Sequence, residues 1–260
     1  MSTVRVGVNG AVGRMGATVC AAVEAADGLD LVAAVDVGST GGSAEGIAVG
    51  SELRTFADAA CEVVVDFTVV DAARVTLPWL AMHGIHAVVG TTGFTDDDLA
   101  TVRSTFGDGP AHCLLAPNFA ISAVLMTRFA EIAAPFFDTA EIIEYHHDRK
   151  VDAPSGTAVD TAERMAAARG DTPWNPDPTR HEVVPGARGG TAPGGIHVHS
   201  VRMHGMIAHQ DVILGAQSQS LTIRQDSYDR ESFMPGVVLA CKRIADHPGV
   251  AVGLDRYLDI

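Results

Sequence analysis

Two imidazoles and two cations crowd into His146-His147-Asp148-Arg149-Lys150, and Val151-Asp152-Ala153-Pro154-Ser155-Gly156-Thr157 follows directly. A histidine can donate a proton near neutral pH. Lys150 can supply a proton or act as a point charge. Ser155 is placed to cap a helix. Amides near Gly156 and Thr157 would then point outward, ready for a carboxylate. The plainer alternative is a polar loop leading into a capped helix, with no chemistry attached.

A second constellation lies at the start of the chain. The apolar run Val4–Val8 leads into Gly10-Ala11-Val12-Gly13-Arg14-Met15-Gly16, a Gly-x-x-Gly-x-x-Gly pattern before an expected helix. Glycines there allow a tight turn, close backbone approach to a pyrophosphate and close helix–strand packing. Asp36 stands 20 residues after Gly16, at the end of the second expected strand. A carboxylate at that place accepts hydrogen bonds from the adenosine ribose hydroxyls. Asp36 would repel a 2′-phosphate, and Val37-Gly38-Ser39-Thr40 brings no cation to offset it, so the chemistry leans to NADH. NADPH is tolerated if Arg14 reaches its phosphate; otherwise Arg14 is a solvated helix residue. Three later strand ends also carry polar or glycine-rich turns: Asp66-Phe67-Thr68, Gly90-Thr91-Thr92-Gly93 and Ala116-Pro117-Asn118-Phe119. Ligands of open parallel sheets sit beyond such ends. Each alone is an ordinary loop.

The elements needed to position these residues can be read from the patterning. Strands are expected at Val4–Val8, Leu31–Val35, Val63–Val65, His86–Val89 and Ala111–Leu115. Helices are expected at Arg14–Ala26, near Asp71–Met82 and from Thr95. This alternation implies a mostly parallel sheet covered on both faces; with the glycine turn and Asp36 it reads as a Rossmann-type dinucleotide-binding domain. After a strand at Glu141–His147 and a helix at Ala158–Arg169, a Pro- and Gly-rich loop spans Gly170–Gly195. Three strand-like runs then follow one another: Ile196–Arg202, Met206–Leu214 and Ser220–Arg224. Strands in succession imply a smaller α+β domain with a mixed sheet. A tail helix at Glu231–Ala245 returns to the first style and is expected to pack back. The expected domains are therefore 1–117 with 226–260, for the dinucleotide, and 118–225, for substrate binding and oligomerisation.

The 260 residues can bury a core in each domain. The formal charge of −14 makes nucleic acid and anionic membrane poor partners. Cys20, Cys61, Cys113 and Cys241 form no CxxC pair, which fits a reducing compartment. With no charged-then-apolar leader and no membrane-length apolar run, the protein is expected to be soluble and cytoplasmic.

Taken in order, Gly10-x-x-Gly13-Arg14-Met15-Gly16, Gly90-Thr91-Thr92-Gly93, Pro117-Asn118-Phe119 and Glu144-x-His-His-x-x-Lys-x-Asp-Ala-Pro-Ser-Gly-Thr157 closely resemble the dihydrodipicolinate reductase family. The resemblance runs over nearly the whole chain, through Arg188-Gly189, Gly195-Ile196-His197 and Phe233-x-x-Gly236. Gly84-Ile85-His86-Ala87-Val88-Val89 looks like the high-GC Gram-positive branch. The resemblance implies NAD(P)H-dependent reduction of 4-hydroxy-tetrahydrodipicolinate, a cyclic dicarboxylate, in lysine and diaminopimelate biosynthesis. It puts His146 at the family's catalytic acid and Lys150 at its proton-donating lysine, without dividing the role between them. His147 falls on a substrate-side position, and Gly156 and Thr157 on the residues that hold a substrate carboxylate. Gly10, Gly13, Arg14, Met15, Gly16, Asp36, Phe67, Thr68, Gly90, Thr92, Ala116, Asn118 and Phe119 fall at cofactor positions, with Arg230 and Phe233 closing over the nicotinamide. It also implies a homotetramer. Two positions depart from the family pattern: Tyr145, which is expected to alter packing under His146, and Ala120 in place of a common serine.

Hydride transfer needs close, aligned approach, so a hinge between the domains is expected to close on substrate. His197 and His199 share one strand face, and His204 and His209 lie nearby. No cysteine or tight carboxylate cluster accompanies them, so no metal is expected. Strands too few to bury both faces of a small sheet likewise suggest oligomerisation. The rivals are aspartate or homoserine dehydrogenase, and a non-catalytic dinucleotide sensor. The His-His…Lys…Pro-Ser-Gly-Thr string argues against the first two. A sensor has no reason to keep His146 and Lys150 beside a carboxylate site.

Overall fold

The computed structural model describes residues 3–38, 41–107 and 109–260. Ser39 and Thr40, read above for their lack of charge, lie outside the described residues. Along the chain run β1 (Val4–Asn9), α1 (Arg14–Glu24), β2 (Leu29–Val35), β3 (Ser43–Ala44), β4 (Ile47–Gly50), α2 (Arg54–Asp58), β5 (Val63–Asp66), α3 (Val70–Met82), β6 (His86–Val89), α4 (Asp96–Phe106), β7 (Cys113–Leu115) and α5 (Ile121–Ala133). There follow β8 (Thr139–His146), α6 (Gly156–Arg169), β9 (Gly190–Thr191), β10 (His197–Arg202), β11 (Ala208–Ala216), β12 (Gln219–Ser227), α7 (Met234–Arg243), β13 (Val250–Val252) and α8 (Asp255–Leu258). The chain divides into two compact units, Met1–Ile121 with Arg230–Ile260, and Ser122–Asp229. The junctions fall at 121/122 and 229/230 rather than 117/118 and 225/226; the second is later because β12 runs on to Ser227 before the chain leaves the sheet.

The first unit holds a sheet of order β13-β7-β6-β5-β1-β2-β4-β3, parallel except for the β3–β4 pair. Every residue of β5 is buried, as both-face coverage of a parallel strand demands. Phe56 of α2, Leu77 and Leu80 of α3 and Phe106 of α4 pack one face around Val64, Ala87 and Leu115. On the other side α7 touches α1, β1, β5 and β6. The Thr95 hydroxyl accepts from the Asp98 amide (3.2 Å), while Asp98 accepts from the Thr95 amide (2.8 Å), a reciprocal cap that starts α4. From β1 the chain builds outward through β2, then returns to lay β5 on the opposite side of β1. Strand order reverses there, which opens the crevice where such sheets take ligands.

The second unit holds the order β12-β11-β8-β10-β9, with β8 and β10 parallel and the other pairs antiparallel, so the sheet is mixed. Ile142, Val198, Val212 and Leu214 face Met126 and Ala130 of α5 and Ala158, Ala162 and Met165 of α6. Side chains alternate along β8. Glu144 and His146 therefore share the helix-covered face with Ile142, and Tyr145 points to the other. Tyr145 does not lie under His146, contrary to the expectation above: its hydroxyl donates to Asp211 (2.9 Å) and the Arg224 guanidinium lies over its ring.

Several elements were absent from the sequence reading: α2, α5, the β3–β4 hairpin and β13. The tail is not one helix over Glu231–Ala245. A 3-10 turn at Arg230–Phe233 precedes α7, and another follows at Ile244–Asp246. Pro235 is the physical reason for the break at the N-terminal side. It has no N–H to give and fits only in a helix's first turn.

Candidate active site

In the first unit the glycine turn is built by contact rather than composition alone. Gly10 has φ +82°, and its amide donates to the Val35 carbonyl (2.8 Å). A Cβ at Gly16 would stand 2.0 Å from the Gly10 carbonyl oxygen, so α1 can start this close to the turn only with glycine there. Arg14 opens α1 exposed, at a helix N-terminus whose first turn holds no acid. A cation there is unfavourable for the helix dipole, which suits an anion lying over both. The Asp36 carboxylate accepts from the Val12 amide (3.3 Å) and the Gly38 amide (3.2 Å), so it sits at the lip of the same turn. The cradle at Gly10 and Gly16, the exposed Arg14 and the placement of Asp36 together fit a dinucleotide.

Asp66 joins the neighbouring loops. It is fully buried and accepts from Asn9 Nδ2 (2.8 Å), the Thr68 amide (3.1 Å) and hydroxyl (2.7 Å), and the Thr91 hydroxyl (2.8 Å). A buried carboxylate is tolerable only when its lone pairs are taken in this way. The Phe67 ring lies where a Gly90 Cβ would fall, at 2.1 Å, and stacks at a tilt on Phe119 with centroids 5.8 Å apart. Phe67, Thr68, Gly90 and Phe119 thus gather beside the Gly10 turn. The two hydroxyls of Gly90-Thr91-Thr92-Gly93 part company: Thr91 turns inward to Asp66 and Thr92 stays exposed. Ala116 is buried, and Asn118 Oδ1 accepts from the Ala120 amide (2.9 Å). Phe233 caps α7, and the turn Arg230–Phe233 touches α1, so both residues belong to this unit.

In the second unit the His146–Thr157 stretch is the end of β8, a tight turn and the start of α6. The Lys150 amide donates to the His147 carbonyl (3.1 Å), and His147 Nδ1 accepts from the Arg149 amide (3.2 Å). Ser155 caps α6 as expected, accepting from the Ala158 amide (3.3 Å). A Cβ on Gly156 would meet nothing within 4 Å, so open space fronts this helix end. Lys150 Nζ lies 2.8 and 2.7 Å from the two Asp152 oxygens. The Lys150 ammonium accordingly holds the Asp152 carboxyl below its ordinary range.

Sequence reading missed the group that organises this stretch. Glu144 is fully buried, and its Oε2 lies 2.5 Å from His146 Nδ1. Arg202 grips the same carboxylate with both Nη atoms, at 2.9 and 2.8 Å. Burial pushes the Glu144 carboxyl up, but hydrogen bonds from His146, Arg202 and Ser200 outweigh it and hold the group down at about 2. Arg202 Nη2 also donates to the Asp152 carbonyl (2.6 Å). One guanidinium therefore ties the His146 strand to the Lys150 turn. A signal was present: an acid at a core-facing position between Ile142 and His146 requires a buried partner. Nothing local names Arg202 as that partner.

The four histidines considered above for a metal are dispersed. His197 faces Asp177 (3.2 Å), His199 faces Glu141 (2.7 Å), His204 faces Asp148 (3.5 Å) and His209 faces Asp226 (2.8 Å). Among the described residues, no three His, Cys, Asp or Glu side chains gather to hold a metal ion. All four cysteines are free and buried. Among the described residues, no helix is long and apolar enough to cross a membrane.

Residues 4–119 match the family described as dihydrodipicolinate reductase, N-terminus, and residues 122–258 match dihydrodipicolinate reductase, C-terminus. The chain is 51% identical over 260 residues to the 4-hydroxy-tetrahydrodipicolinate reductase of Corynebacterium urealyticum, covering 99% of each chain. It is 51% identical over 261 residues to that of Nocardia farcinica, covering 99% of this chain and 100% of the other. Among solved structures, the dipicolinate-bound dihydrodipicolinate reductase of Paenisporosarcina sp. TG-14 superposes with a TM-score of 0.90 at 35% identity, over 98% of this chain and 99% of that one.

Proposed function

This chain belongs to the dihydrodipicolinate reductase family, and on that premise we propose how its residues divide the reaction. It is an NAD(P)H-dependent oxidoreductase acting at the reductase step of lysine and diaminopimelate biosynthesis. Gly10, Gly13, Met15 and Gly16 let the start of α1 approach the cofactor pyrophosphate, and Asp36 takes the ribose hydroxyls. Phe67, Thr68, Gly90, Thr92, Ala116, Asn118 and Phe119 line the nicotinamide end, with Arg230 and Phe233 closing over it. Bound NAD(P)H supplies the hydride. NADH is the preferred cofactor, because Asp36 opposes a 2′-phosphate; Arg14 is the residue that would admit NADPH.

The substrate is a cyclic dicarboxylate, a class supported by the dipicolinate bound in the Paenisporosarcina relative. Gly156 and Thr157 receive one carboxylate at the open N-terminus of α6. His147 supports the substrate from the adjoining turn. Lys150 and His146 supply the proton that the reduced ring takes up. The single observation that carries this reading is the proximity, within one turn of chain, of a histidine, an ammonium and an unobstructed helix N-terminus in an otherwise acidic protein.

We further propose a homotetramer in the cytoplasm. Among the described residues, α5 and α6 pack on the Ile142 face of the β8–β12 sheet; the other face carries Tyr145, Asp211 and Arg224 and is suited to a second copy. Light scattering on the purified protein tests this: a monomer removes the proposal. The reaction is tested by supplying pyruvate, aspartate semialdehyde and a dihydrodipicolinate synthase, and following loss of NADH and NADPH separately. Rapid oxidation is expected, faster with NADH. NADH binding without turnover would favour the sensor reading.

A further inference from the structure

We propose that Glu144, clamped by Arg202, is a positioning residue for the reaction: it accepts a hydrogen bond from Nδ1–H of His146 and so assigns Nε2 as the nitrogen that works on substrate. The inference rests on the reading of His146 as a proton donor. It adds what decides which edge of the ring acts.

Strand alternation puts Glu144 and His146 on one face of β8, two residues apart, with Nδ1 and Oε2 at 2.5 Å. A carboxylate is an acceptor only. The contact therefore needs a hydrogen on Nδ1. Glu144 stays ionised because Arg202 meets it with two charge-assisted bonds from the neighbouring strand β10. With Nδ1–H fixed, the neutral ring has a bare Nε2. Once the ring takes up a proton, the hydrogen it can release to substrate sits on Nε2, because Nδ1–H stays engaged by the carboxylate.

A purely structural ion pair would be complete with Arg202 alone. Glu144 also meets the ring of His146, which keeps 17% of its side-chain surface exposed. Arg202 has a second task. Its Nη2 holds the Asp152 carbonyl, and the Asp152 carboxylate holds Lys150 Nζ. Both proposed proton donors are thus referred to the same guanidinium. The sequence separation of 58 residues between Glu144 and Arg202 is spanned by the parallel β8–β10 pairing, in which Arg202 stands opposite His146.

Long-range proton–nitrogen spectra of the full chain, labelled at histidine, test this without any change at Glu144. His146→Gln assigns the signal. The expected neutral form has hydrogen on Nδ1 and a bare Nε2; the opposite tautomer overturns the proposal. Kinetics give the second arm. His146→Gln is expected to lower kcat about 100-fold. Glu144→Ala is expected to fall at least about 10-fold in kcat, with the substrate KM changed less than about threefold. Glu144→Gln, whose amide oxygen still accepts from Nδ1, recovers the tautomer and part of kcat. Full activity in His146→Gln would remove the proton-donor reading and the positioning role with it. An inactive His146→Gln beside a fully active Glu144→Ala would remove the positioning role alone. Where Glu144→Ala fails to fold, the wild-type tautomer decides.

Discussion

Gly16→Ala separates glycines required by the fold from glycines required by the ligand. In the folded chain the new Cβ would stand 2.0 Å from the Gly10 carbonyl oxygen and 2.9 Å from Ala11 Cα. Ordinary carbon–oxygen contact needs a separation larger by roughly 1 Å, and both partners are backbone, so the turn itself must retreat. Overpacking of this kind costs about 1–3 kcal/mol, against which alanine's better helix propensity returns about 1 kcal/mol. The net expectation is a loss of about 0–2 kcal/mol, and a drop in NADH affinity on the order of 100-fold from a displacement of roughly 1 Å. Gly13 makes the control. Its φ of −67° and ψ of 158° suit any residue, and an added Cβ would meet only the Gly10 oxygen at 3.1 Å. Gly13→Ala should keep wild-type stability within about 0.5 kcal/mol while still weakening NADH, because its Cβ intrudes where the pyrophosphate approaches. Chemical denaturation and NADH fluorescence titration read the two effects separately. Wild-type NADH affinity in Gly16→Ala would refute the close-approach argument. A loss of more than about 1 kcal/mol in Gly13→Ala would refute the distinction between them.

Asp36→Ala should weaken NADH by about 10-fold and NADPH less, because the lost hydrogen bonds to the ribose are partly offset for NADPH by relief of repulsion; equal weakening of both would show that Asp36 does not read the ribose. Lys150→Ala should lose about 100-fold or more in kcat with NADH affinity nearly intact, measured by turnover and fluorescence titration; an active variant removes Lys150 from the mechanism. The Glu144 carboxyl is depressed from 4.5 to about 2 in the folded chain. Its stabilisation of roughly 3 kcal/mol is therefore fully present above pH 4.5 and is lost as pH falls through 2. Denaturation curves should show wild type more stable than Glu144→Gln at neutral pH, with the gap narrowing on acidification; a constant gap would contradict the pairing.

Much of the candidate site was readable because its parts are local. The Gly10–Gly16 turn, Asp36 and the Ser155 cap are set by short-range geometry: a turn that needs φ above zero, a strand end, a helix start. The α/β alternation of the first unit was legible because its core strands are continuous apolar runs. Other elements left weaker traces. The helix at Ile121–Ala133 mixes apolar and polar residues with no capping signal, and β3 and β4 are only two and four residues long. Tyr145 was placed wrongly because its position depends on which face of β8 meets α6, a matter of packing.

The sequence by itself determined which chemical groups exist and which of them lie within one turn of each other: the glycine turn with its cation, the histidine–lysine string, the capped start of α6. These need only the periodicity of a strand or helix and the reach of a few residues. Tertiary structure alone decided which distant groups hold them. Arg202 meets Glu144 across 58 residues, and Asp66 collects Asn9, Thr68 and Thr91 from three strand ends. The physical reason is that a buried charge must find its partners wherever strand pairing brings them, and pairing is a property of the whole sheet.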